Sequence, residues 1–79
     1  MIPKNKTLSI NEFKEFIQEM KKKGIDCFYR SSCTDRIYFK TDQRETMLRF
    51  IKPTALSCII ESSAHPGYSF IDYDEFVVI

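Results

Sequence analysis

Tryptophan is absent from this 79-residue chain, and there are only two glycines, Gly24 and Gly67. Two isolated glycines exclude the glycine-rich loops that cradle phosphates, and each is accounted for by a helix end or a turn. No apolar run approaches the about 20 residues that cross a bilayer. The opening MIPKNKTLS has no apolar core, so neither a secretory leader nor a membrane anchor is expected. Cys27, Cys33 and Cys58 are an odd set, which fits reduced thiols better than a disulfide scaffold. A cytoplasmic protein is the expectation.

Cations are missing after Lys52. Residues 1–52 hold all twelve Lys and Arg with seven acids, a balance of +5, and the last 27 residues hold four acids and no cation. Such bipolarity steers a partner, or pairs the two portions within the fold or across a dimer. What the chain does contain is globular: 43% hydrophobic and 29% charged residues, enough to build a core. No linker, repeat or low-complexity segment divides residues 1–79, so one domain is expected. The Lys-, Ile-, Phe- and Tyr-rich composition suits an AT-rich genome, phages and mobile elements included.

The clearest element is SINEFKEFIQEMKKKGI. Ser9 and Glu12 have capping-box spacing. Ile10, Phe13, Phe16, Ile17 and Met20 form one apolar stripe at helical spacing. Gly24 supplies a left-handed ending, with Ile25 placed to touch Met20. A helix over 10–23 follows. Lys21–Lys23 invite a nucleic-acid assignment, but cations in a last turn are explained by the helix dipole.

In IDCFYRSSCTDRIYFK, period-2 alternation around a Ser/Thr/Asp cluster predicts a β-hairpin. Ile25, Cys27, Ile37 and Phe39 would face the helix, leaving Phe28, Arg30, Arg36, Tyr38 and Lys40 on the other side. Asp42 and Glu45 repeat the capping-box spacing, and Met47, Leu48 and Ile51 share a helical face, predicting a second helix over 43–51 that ends before Pro53. A strand over TMLRFIK is the rival. Residues 55–62 read as a strand, SAHPG as a turn, and 68–73 and FVVI as closing strands.

The expected fold class is α+β, a small antiparallel sheet with two helices on one face in the order α-β-β-α-β-β. That order arises if the first strand of a ferredoxin-like βαββαβ unit moves to the end of the chain. Fold alone names no function.

Candidate chemistry is sparse. Five residues separate Cys27 from Cys33 and six separate Cys58 from His65, whereas structural zinc knuckles use gaps of about two to four. No metal or cofactor is expected. A Cys/His nucleophile requires His65 to reach Cys33 or Cys58. Asp72, Asp74 and Glu75 could hold a cation or serve as acid and base, but a near-terminal acidic turn offers no pocket to shift their pKa values. No enzyme is expected.

The open sheet face is the sharper candidate. Phe28 and Tyr38 flanked by Arg30, Arg36 and Lys40 have the composition of a protein interface, which is enriched in Tyr, Phe and Arg. The expectation is a non-catalytic inhibitor, adaptor or regulator that contacts a protein, a second copy included. The alternative is a single-stranded nucleic-acid module stacking bases on the same aromatics, although RIYFK lacks the glycines of the RNP1 motif.

Overall fold

The computed structural model describes residues 9–31 and 35–79. Helix α1 spans Ile10–Lys22. Its capping box is complete: the Ser9 hydroxyl accepts from the Glu12 amide at 3.2 Å, and the Glu12 carboxylate accepts from the Ser9 amide at 3.0 Å. The stripe buries Phe13, Ile17 and Met20. At the other end the Ile25 amide donates to the Met20 carbonyl and the Gly24 amide to that of Lys21, the bond pair of a Schellman ending. Gly24 takes φ 88°, where a side chain would be strained.

The chain then forms β1 (Cys27–Ser31) and β2 (Asp35–Lys40), antiparallel with Cys27 opposite Phe39 and Phe28 opposite Tyr38. Alternation thus sorts the faces as expected: Cys27, Ile37 and Phe39 are buried beneath α1. Residue Cys33 lies outside the described residues.

The middle of the chain departs from expectation. A 3-10 turn over Thr41–Gln43 leads into α2, which covers only Arg44–Met47. Asp42 does not cap it; α2 has no side-chain cap, and Asp42 sits inside the preceding turn. The neighbouring Gln43 instead ties the helix end to the hairpin, accepting from the Asp26 amide at 2.7 Å and donating to the Gly24 carbonyl at 3.0 Å. The predicted helix over 43–51 stops early because Ile51 begins β3 (Ile51–Pro53). Its partner is β6 (Phe76–Val78), with Ile51 opposite Val78. Helix and strand each claim part of this segment.

The predicted strand over 55–62 is also shortened. Leu56–Cys58 forms a 3-10 turn, closed by bonds from the Cys58 and Ile59 amides to the Ala55 and Leu56 carbonyls. Only β4 (Ile60–Glu61) is extended. Next comes β5 (Tyr68–Asp72), and a turn in which the Glu75 amide donates to the Asp72 carbonyl leads to β6.

The result is a small α+β domain with two helices, a four-stranded antiparallel sheet in the order β1-β2-β5-β4 and a separate β3–β6 ribbon. Against the expected α-β-β-α-β-β order, α2 is a single turn and the β3–β6 ribbon is added. The core unites Phe13, Ile17 and Met20 of α1 with Ile37 and Phe39 of β2, Met47, Ile51, Ile71 and Phe76. Phe13 is its hub, with ring contacts to Tyr29, Tyr73 and Phe76. No described helix is long and apolar enough to cross a membrane.

Candidate binding face

The sheet register builds the site in rows. Phe28 opposes Tyr38, Tyr38 opposes Phe70, and Phe70 opposes Ile60, so one apolar residue from each strand lines up across the face turned away from α1. The Phe28 and Tyr38 rings are stacked, 4.9 Å apart and 1° from parallel, and Phe70 lies 5.3 Å from Tyr38. Tyr68 adds a tilted ring 5.4 Å from Phe28.

His65 closes over this row. The loop after β4 folds back at Gly67, φ 86°, and the Tyr68 amide donates to the His65 carbonyl while the His65 amide donates to the Ser62 hydroxyl. The imidazole meets Phe28 and Tyr38 edge-on, 5.4 Å and 5.2 Å from their centroids. The outer face is therefore a second packed layer. Tyr38, expected as an exposed anchor, is only 7% exposed and forms the floor of this layer, and Phe28 is half-buried.

A charged row borders it. Arg30 opposes Arg36, and Arg36 opposes Asp72. The Arg36 guanidinium donates to the Asp72 carboxylate at 2.8 Å and lies 4.2 Å from the Phe70 centroid. The bond to Asp72 holds this cation in place, and Tyr38 and Asp72 raise its pKa further. Arg30 and Lys40 are exposed, and among the described residues neither has an ion-pair partner. The five residues expected at the site thus do share one face, in three different roles.

The site includes four residues that sequence reasoning left out: His65, Tyr68, Phe70 and Ile60. Tyr68, Phe70 and Asp72 alternate, so their shared face was accessible from period 2 alone. The return of His65 was not.

Of the described thiols, neither Cys27 nor Cys58 pairs with His65. Cys58 donates to the Glu75 carboxylate at 3.0 Å and pairs with the Thr54 hydroxyl at 3.1 Å. Those two donors, Cys58 foremost and then Thr54, hold the Glu75 carboxyl below its ordinary pKa. Cys27 donates to the Ile17 carbonyl inside the core, where burial pushes its thiol pKa up to about 11. Among the described residues no three His, Cys, Asp or Glu side chains gather around a common metal position.

No protein-family model, curated protein or solved structure matches this chain.

Proposed function

We propose that this is a non-catalytic binding protein of the cytoplasm that acts by protein–protein contact, as an inhibitor, adaptor or regulator. The outer face of the four-stranded sheet is its docking surface. The observation that carries this is the apolar row running Phe28, Tyr38, Phe70 and Ile60, which ends in an isoleucine 49% exposed and is bordered by Arg30 and Lys40. An apolar centre with charge at its rim is the anatomy of a protein interface.

Each side chain has a part. Phe28 and Ile60 offer apolar area, Tyr38 and Phe70 support them, and Arg30 and Lys40 supply rim charge that sets orientation and association rate. Arg36, already held by Asp72, stiffens the face. Base stacking is less well served: it needs open ring faces, and Phe28 and Tyr38 cover one another while His65 meets both.

The test is capture from an extract of the source cells on immobilised protein, comparing wild type with the folded Arg30→Glu/Lys40→Glu double variant. A defined protein, identified by mass spectrometry, retained by wild type and lost by the variant is the expected result. Identical captures from both would remove this face from consideration.

A further inference from the structure

The two edges of the four-stranded sheet differ. At β1 the Lys40 amide bonds the Asp26 carbonyl directly opposite, so Phe28 and Arg30 also bond inward, and Cys27 and Tyr29 turn their backbone groups outward. That edge is closed at its start, since Cys27 is 3% exposed. At β4 the Ser62 amide bonds the Tyr68 carbonyl opposite, so Ile60 also bonds inward and Ile59 and Glu61 point outward. The Ile59 amide is taken by the Leu56 carbonyl. The Ile59 carbonyl and the Glu61 amide and carbonyl face away from the sheet, beside Ile60 at 49% and Leu56 at 69% exposure.

We propose that β4 pairs with β4 of a second copy, antiparallel about a twofold axis at Ile60. Only one symmetric register both uses the outward groups and avoids placing like charges opposite one another. With Ile60 opposite Ile60 of the second copy, each Glu61 amide donates to the other Ile59 carbonyl. A shift that centres the axis on Glu61 sets two carboxylates face to face, which is destabilising.

A two-residue edge strand offers few backbone bonds and is a poor template for a long partner strand. What selects a second copy is the row of side chains. The register continues the apolar row without a break, from Phe28, Tyr38, Phe70 and Ile60 into the same four residues in reverse order. Leu56, four residues before Ile60 in the preceding 3-10 turn, adds exposed apolar surface to the same segment. The pairing rests on the β4 edge and on the apolar row that ends at Ile60, and it does not require a separate protein partner on the face.

Sedimentation equilibrium over a wide concentration range reads the association, and Ile60→Lys should weaken it about tenfold or more, which corresponds to about 1.4 kcal/mol. Geometry is read by oxidation in a Cys33→Ser/Cys58→Ser background. Directly opposed, non-hydrogen-bonded Cα atoms lie about 4.5 Å apart, within disulfide range, so Ile60→Cys should cross-link while Glu61→Cys, two positions out of register with itself, should not. A protein that stays monomeric at several hundred micromolar overturns the proposal, as does a dimer indifferent to Ile60→Lys or cross-linked through residue 61. A strict monomer that still captures a partner through Arg30 and Lys40 would sink the dimer and leave the binding face standing.

Discussion

Phe28 and Tyr38 stack face to face from directly opposed positions on β1 and β2, 4.9 Å apart and 1° from parallel. The pair makes the outer face of the sheet structural as well as exposed. Tyr38→Ala should cost about 3–5 kcal/mol, the range for removing a buried aromatic ring, and Phe28→Ala less because that ring is half-buried. The coupling between them, from a double-mutant cycle in urea, should be about 0.5–1.5 kcal/mol. If Tyr38→Ala left stability unchanged, the packed layer would not exist.

Gln43 and Asp42 give opposite expectations. The Gln43 side chain joins the end of α1 to the start of β1 through Gly24 and Asp26, whereas Asp42 caps nothing. Gln43→Ala should cost about 1 kcal/mol, softened because water can reach the freed groups, and Asp42→Ala almost nothing. Denaturation midpoints of the two variants check this, and the reverse ranking would restore the capping box at Asp42.

The N-terminal cap is a cleaner case. Ser9→Ala removes the acceptor for the Glu12 amide and should lower stability by about 1 kcal/mol. Gly24→Ala should cost at least as much, because φ 88° is strained for any side chain even though a Cβ there meets no neighbour within 4 Å. Thermal melts of both would show it.

Glu75 and Cys27 bear on opposite ends of the pH dependence. Glu75 has a folded pKa below its unfolded one, owing to the Cys58 and Thr54 donors. Its contribution is present above the unfolded value and is lost as pH falls through the folded value, so Glu75→Gln should flatten the acid side of the stability curve. Cys27 acts at the other end: its folded pKa is raised from 9.0 to about 11, chiefly by burial. Between those values the unfolded chain has lost the thiol proton and the native state has kept it, so stability should fall as pH rises from 9.0 to about 11. Cys27→Ala should lessen that slope, and the remainder belongs to Tyr29 and Tyr68, whose pKa values are raised by hydrogen bonds to Asp35 and Asp26.

Local signals were legible and long-range ones were not. Ser9, Glu12 and Gly24 announce α1 because a helix end must satisfy its own backbone groups within a few residues. Cys27 and Phe28 sort to opposite faces because a strand alternates. The 43–51 segment misleads for a physical reason: Met47 and Ile51 have helical spacing, yet the strand that receives Ile51 lies at Val78, far along the chain. The same holds for Thr54, Cys58 and Glu75, whose hydrogen bonds tie 54–58 to the turn before β6, away from the predicted strand. At the candidate face, alternation found Phe28, Arg30, Arg36, Tyr38 and Lys40 but carried no information on His65, which arrives from a loop.

The claim that this face docks protein, with Phe28 and Tyr38 packed on one another and Ile60, Arg30 and Lys40 exposed, is tested most directly by fluorescence anisotropy of labelled single-stranded DNA and RNA at two salt concentrations. The prediction is no saturable binding at tens of micromolar protein in low salt. Saturable binding that weakens steeply with salt, by a log–log slope of about 0.7 per neutralised phosphate, and that disappears in a folded Phe28→Ala variant would contradict it. The face would then be a base-stacking platform.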